Sequence, residues 1–263
     1  MVTGAASGIG RCIALALADA GADLCLIDIN EKNLQETAQE ARRRGVEVVT
    51  RICDLSQPAE ISAASNFILS TWDRLNILVN CAGVIHYGPT DAMTDAQWNR
   101  VVSVNLSAPV QLVRELLPTL AAQDEAHIVN VCSIFGLATM PRIAAYQTSK
   151  FALVGFSAAL HAEYARPGFG ITALCPGIVR TPMIKEVETD WRNDGFTIPA
   201  WIGTSPEVVA AVALKAIRRN RGLVVVTPSA RVFWWLARFS PGFVEWLNRK
   251  DLIRRLFKAP ESN

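Results

Sequence analysis

The chain has 263 residues, enough to bury a sizeable core within one large α/β domain, and its 51% hydrophobic and 19% charged residues exclude a disordered or fibrous protein. A net charge of +2 is too small for the basic footprint of a nucleic-acid binder, so no nucleic-acid partner is expected. No uncharged apolar stretch approaches the roughly 20 residues of a spanning helix, and the start lacks the regions of a signal peptide, which points to a cytoplasmic protein.

Near the N-terminus Thr3-Gly4-Ala5-Ala6-Ser7-Gly8-Ile9-Gly10 leads into a helical run over 11–19. Short β-rich apolar runs then alternate with longer helical patterns. Strands are predicted at 23–28, 46–54 and 76–80, with helices at 31–44 and 57–71 between them. Helical stretches follow over 94–122, then a strand at 127–132, a helix at 144–165, a strand at 171–175 and a helix-strand pair ending near Val226. This rhythm of βαβ units predicts a single-domain α/β fold, a Rossmann-type doubly wound parallel sheet with right-handed crossovers. Residues 1–228 form the expected dinucleotide-binding and catalytic domain, and 229–263 an amphipathic, basic C-terminal tail. The weakly periodic segment 177–204 reads as a functional loop, its part 184–204 closing over the substrate.

Glycines in a strand-turn-helix context let a pyrophosphate approach backbone N–H groups at a helix N-terminus, which singles out Gly4, Ser7, Gly8, Ile9 and Gly10. The spacing is G-x-x-x-G-x-G, and by itself a tight turn would also explain it. Asp28 ends the second strand 18 residues after Gly10, where a carboxylate accepts hydrogen bonds from ribose hydroxyls and repels a 2′-phosphate. NAD is therefore expected over NADP. The alternative for Asp28, capping the next helix, is a role Asn30 can fill.

On these motifs the chain resembles a short-chain dehydrogenase/reductase over about residues 3–183. The resemblance implies that Asp54, in Cys53-Asp54-Leu55, contacts the adenine, with Leu55 beside it. It also implies that Asn80-Cys81-Ala82-Gly83 lines the adenosine side, with Cys81 departing from the family's usual second Asn. The family's first strand normally has several apolar residues before the Thr-Gly, whereas here only Met1 and Val2 precede it. A nearly truncated first strand is expected, and a start upstream of Met1 is the favoured explanation.

Tyr146-Gln147-Thr148-Ser149-Lys150 places Tyr and Lys four residues apart on one helix face. A free phenol titrates near about 10, and a neighbouring ammonium is expected to lower that value so that Tyr146 can act as an acid/base. A solvated surface pair is the plain alternative. The resemblance adds Ser133, 13 residues before Tyr146 at a strand end, as the residue that orients the substrate oxygen. It adds Asn105 as the fourth active-site residue, whose backbone holds a water linking Lys150 to solvent, and gives Lys150 a second bond to the nicotinamide ribose. In Pro176-Gly177-Ile178-Val179-Arg180-Thr181, it implies that Thr181 holds the carboxamide.

The loop's Trp191, Phe196, Ile198 and Trp201 point to an apolar or bulky ligand, while His86 and Tyr87 are possible extra site residues or plain loop residues. The six cysteines (Cys12, Cys25, Cys53, Cys81, Cys132, Cys175) show no C-x-x-C pair and no nearby His, so reduced thiols and no metal site are expected. Beyond Ser229 aromatic and aliphatic residues recur at helical intervals among arginines, a pattern of helices packed on the domain, of a dimer surface, or of peripheral contact with an anionic membrane. The reading is an NAD-dependent oxidoreductase interconverting a small hydrophobic secondary alcohol and its ketone or aldehyde, expected to form a homo-oligomer. The alternative is an NAD-binding regulatory or membrane-surface protein without turnover.

Overall fold

A computed structural model of the chain describes residues 1–185 and 203–249, with side chains through Trp246. The apolar runs are nearly continuous, as strands covered by helices on both faces must be. They form β1 Val2–Thr3, β2 Leu24–Asp28, β3 Val48–Ile52, β4 Ile77–Asn80, β5 Ala126–Val131, β6 Phe169–Cys175 and β7 Leu223–Val225. All pair in parallel, in the order β3-β2-β1-β4-β5-β6-β7. The order reverses beside β1, so β1 and β4 diverge into their following loops and open a crevice at the carboxyl edge of the sheet.

The crossovers are α1 Gly8–Asp19, α2 Glu31–Arg42, α3 Pro58–Thr71, α4 Asp95–Val102, α5 Ala108–Ala121, α6 Ala144–Tyr164 and α7 Pro206–Arg218, followed by α8 Pro228–Phe239 and α9 Pro241–Arg249. Period-2 alternation divides each central strand between two cores. Leu26, Val79 and Val129 face Ile13, Leu17 and Val209 of α1 and α7. Their neighbours Ile27, Leu78 and Ile128 face Ile61 of α3 and Leu112 and Leu116 of α5. α2 stops two residues short of the predicted end, where Arg43 and Arg44 lead into Gly45 at φ +81°, a left-handed conformation that glycine adopts without strain.

β1 has only two residues, yet the sheet is continuous through it. Val2 stands opposite Leu26 on one side and Val79 on the other. The Thr3 hydroxyl accepts the N–H groups of Cys81 at 3.0 Å and Ala82 at 3.2 Å, fixing the loop after β4 to the loop after β1.

Candidate active site

At the carboxyl end of β1 the chain turns through Gly4 at φ +67°. A Cβ on Gly4 would stand 2.8 Å from the Ala82 backbone, and one on Gly10 would stand 2.1 Å from the Gly4 carbonyl oxygen. The loop is thus pressed against both α1 and the end of β4. No side chain caps α1, and its first turn carries no acid, so unpartnered N–H groups at the positive end of a helix face the crevice. That donor set fits the pyrophosphate of a dinucleotide.

A cleft of about 830 Å³ runs from this turn to Tyr146 and Lys150, within the roughly 300–1,000 Å³ of small-molecule sites. Gly4, Ser7, Gly8, Ile9, Gly10, Asp28, Asp54, Leu55, Ala82, Gly83, Tyr146, Lys150 and Thr181 all line it. Asp28 accepts the Ala6 N–H at 3.0 Å and the Asn30 N–H at 2.9 Å, which aims its carboxylate at the same cleft. It does not cap α2: the Asn30 side chain does, accepting the Asn33 N–H at 3.1 Å. Asp54 accepts from Ser56, and those hydrogen bonds hold its carboxyl below the ordinary range.

Four expected cofactor residues lie off the cleft lining. The Asn80 side chain points into the sheet, donating to Asn130 Oδ1 at 2.9 Å, and Asn130 in turn donates to Ser157 Oγ at 2.9 Å. Pro176 offers its carbonyl to the Ile134 N–H at 2.8 Å. A Cβ on Gly177 would stand 2.8 Å from Thr227 Oγ1, so this glycine packs against the start of α8. Ile178 accepts the Thr204 N–H at 2.9 Å. Thr181 lies across from the phosphate turn, 3.2 Å from where a Gly8 Cβ would stand.

At the other end Tyr146 and Lys150 share one face of α6, with the Lys150 Nζ 5.7 Å from the centre of the Tyr146 ring. Ser133 follows β5 by two residues, with its hydroxyl near enough to the Tyr146 phenol to favour the phenolate, and its Oγ accepts the Phe135 N–H at 3.1 Å. Lys150 is buried and donates to the Val131 carbonyl at 2.9 Å. The geometry reverses one expectation: the phenol is pushed up to about 12, not down. Desolvation dominates, and the Ser133 hydrogen bond offsets only part of it. Burial likewise lowers the Lys150 ammonium.

Asn105 is fully buried behind Gly83 in a π-helical turn, Ser103–Ser107, which separates α4 from α5. Its amide accepts the Val84 N–H at 2.8 Å, and donates to the Val84 carbonyl at 2.9 Å and to Ser149 Oγ at 3.2 Å. One side chain therefore joins the loop after β4 to the helix carrying Tyr146 and Lys150.

Cys81, within the segment expected to line the adenosine side, lines the cleft, and so do Cys132, Asn99, Arg100 and Met183, to which sequence reasoning assigned no role. The two cysteines immediately follow β4 and β5, where side chains at a sheet's carboxyl edge are available to a ligand. Asn99 and Arg100 sit on α4, and nothing in a helical pattern marks which face meets a distant loop. His86 and Tyr87 are half-buried and do not line the cleft. Among the described residues no group of His, Cys, Asp or Glu could hold a metal ion, and no helix is long and apolar enough to cross a membrane. Trp191, Phe196, Ile198 and Trp201 lie outside the described residues.

The family profile described as short chain dehydrogenase matches residues 1–192. Estradiol 17-beta-dehydrogenase 11 of Rattus norvegicus is 33% identical over 258 residues, covering 97% of this chain and 84% of that protein. A structure from Beutenbergia cavernae, designated an NAD(P)-dependent gluconate 5-dehydrogenase with NADP bound at low occupancy, superposes with a TM-score of 0.78 at 30% identity, covering 88% of this chain and 95% of that one. Levodione reductase superposes with a TM-score of 0.76 at 27% identity, covering 85% and 93%. The chain belongs to the short-chain dehydrogenase family: it is an NAD(P)-dependent oxidoreductase acting on CH–OH groups.

Proposed function

We propose that the protein interconverts a hydrophobic secondary alcohol and its ketone with NAD as the hydride partner and Tyr146 as the acid/base. The observation that carries this reading is the Tyr146–Lys150 pair on one face of α6, Nζ 5.7 Å from the ring centre, with Ser133 beside the phenol, at the end of a dinucleotide-sized cleft that Asp28 also lines. Bound in that cleft, the nicotinamide ring supplies or takes the hydride. Ser133 and Tyr146 hold the substrate oxygen between their hydroxyls, which fixes the carbon beside the ring. In reduction Tyr146 gives its proton to the oxygen as hydride arrives at carbon; in oxidation it accepts that proton. Lys150 steadies the developing phenolate, and Asn105 holds α6 and the Val84 loop in register.

Asp28 supports NAD, because a carboxylate accepts from a ribose diol and repels a 2′-phosphate. The aromatic composition of 184–204 supports a hydrophobic substrate, and the relative that acts as an estradiol dehydrogenase agrees with it. Six unpaired cysteines support a reducing, cytoplasmic setting, and a homo-oligomer is the expected assembly. The test is Tyr146→Phe, assayed with a panel of apolar alcohols and NAD. Turnover should vanish while NADH still binds with nearly unchanged affinity; wild-type turnover in the variant would overturn the mechanism.

A further inference from the structure

α8 is apolar on both faces. Ala230 is buried, and Phe233 and Trp234 pack against the cluster of Cys132, Ile134, Cys175 and Val225 beneath the site. Val232, Trp235, Leu236 and Phe239 follow the i, i+3, i+4, i+7 pattern on the opposite side and are 61%, 53%, 39% and 69% exposed. The following helix α9 also exposes aromatic rings, Phe243 and Trp246 at 44% and 48%. Rings stack along each helix, Trp235 on Phe239 at 5.0 Å and Phe243 on Trp246 at 5.8 Å, and Trp235 also meets the inward Trp234 at 5.6 Å. A soluble surface scatters such side chains singly, whereas here six fall within residues 232–246.

The charge on this segment is as uneven as its hydropathy. Residues 228–263 carry seven Lys and Arg against three Asp and Glu, a net +4, while residues 1–227 carry nineteen against twenty-one, a net −2. Arg231 and Arg238 stand two turns apart along one edge of the exposed stripe; Arg231 Nε donates to the Val225 carbonyl at 2.9 Å, and both residues are exposed. Pairing this face with a second copy would bring two cationic segments together, which like-charge repulsion opposes. A surface offering both apolar depth and negative charge satisfies both properties at once, since aromatic rings enter the boundary of the acyl chains while arginines reach the headgroups.

We propose that the α8–α9 face docks the protein on an anionic lipid surface. The exposed stripe lies on the side of α8 opposite the residues that pack beneath Ser133, so docking leaves the catalytic core undisturbed and holds it beside the bilayer. This inference stands apart from the oxidoreductase reading and does not depend on it.

The test is co-sedimentation of the full chain with vesicles of phosphatidylcholine alone or with about 30 mol% phosphatidylserine, at low and physiological salt. Binding to the anionic vesicles should exceed binding to the neutral ones at least about tenfold, weaken with salt, and fall at least about tenfold in Trp235→Glu/Phe239→Glu. Turnover of a water-soluble alcohol should persist in that variant. Should it misfold, Arg238→Glu alone must still lower anionic-vesicle binding. No binding at any composition overturns the proposal, as does binding indifferent to these variants. It is equally overturned if light scattering finds a dimer that Trp235→Glu/Phe239→Glu dissociates while vesicles bind neither form.

Discussion

Gly136, in the turn after β5, meets Lys150 backbone to backbone: a Cβ on Gly136 would stand 2.6 Å from the Lys150 carbonyl oxygen. This contact sets how closely the turn bearing Ser133 approaches the helix bearing Tyr146. In Gly136→Ala the turn or α6 must shift, at a cost of about 1–3 kcal/mol, and a displacement near 1 Å lowers kcat about a hundredfold. Gly155, on the same helix with nothing within 4 Å of an added Cβ, is the control. Gly155→Ala should be neutral or stabilising by up to about 1 kcal/mol, as read by thermal melts beside initial rates.

The Tyr146 phenol, half-buried at the cleft wall, should stay protonated across the physiological range. The chain has three tyrosines, so the tyrosinate absorbance of the protein minus that of Tyr146→Phe isolates this one. With its value pushed up to about 12, the difference spectrum should show no transition below about pH 10 in the protein without dinucleotide. Adding NAD, whose ring is cationic, should move the transition down. A titration complete by about pH 8 without NAD contradicts the geometry of the site.

Asp28 combines two roles, holding the Ala6 N–H and facing the cleft. Asp28→Asn keeps an acceptor for that N–H and removes the charge. The KM for NAD should rise about tenfold, and the preference for NAD over NADP should narrow by about ten- to a hundredfold, measured as the ratio of kcat/KM for the two. An unchanged ratio means that cofactor choice is made elsewhere.

His127 reports on stability, far from the chemistry. It is buried, with Nε2 2.7 Å from Thr172 Oγ1, and that hydroxyl donates onward to the Arg221 carbonyl at 2.5 Å. The imidazole therefore donates from Nε2, and its Nδ1 faces Gly170. Desolvation depresses its value from 6.5 to about 4, with His161 adding to the effect. The folded state binds the proton less readily than the unfolded chain, so this contribution is fully present above pH 6.5 and is lost as pH falls toward 4. Thermal melts should show up to about 3 kcal/mol less stability at pH 4 than at pH 7, and His127→Gln should flatten that slope.

The βαβ rhythm was legible because buried parallel strands read as apolar runs, and because glycine turns and Asn30 mark where helices begin. Tyr146 and Lys150 were legible as one helix face from their spacing alone. What the sequence could not carry were directions that depend on distant partners. The segment Ser103–Ser107 differs little from an ordinary helix, and its π turn is tied by Asn105 to Val84, 21 residues away. Asn80 lies in a motif associated with the cofactor, yet its side chain bonds across the sheet to Asn130. The upward displacement of Tyr146 depends on burial among β5, β6 and α6, which no local pattern encodes.

After β6 the two ends of a long segment meet: Val179 bridges Thr204, with the Arg180 N–H donating to the Thr204 carbonyl at 3.0 Å and the Thr204 N–H to the Ile178 carbonyl at 2.9 Å. A segment whose two ends are clasped together can lengthen, shorten or change composition at little entropic cost, because closure depends only weakly on contour length. The residues of proton transfer, Ser133, Tyr146 and Lys150, reside outside it. Selectivity is thereby separable from chemistry, so exchanging residues 186–202 should alter which alcohol is accepted while leaving Thr181 and the rest of the machinery in place.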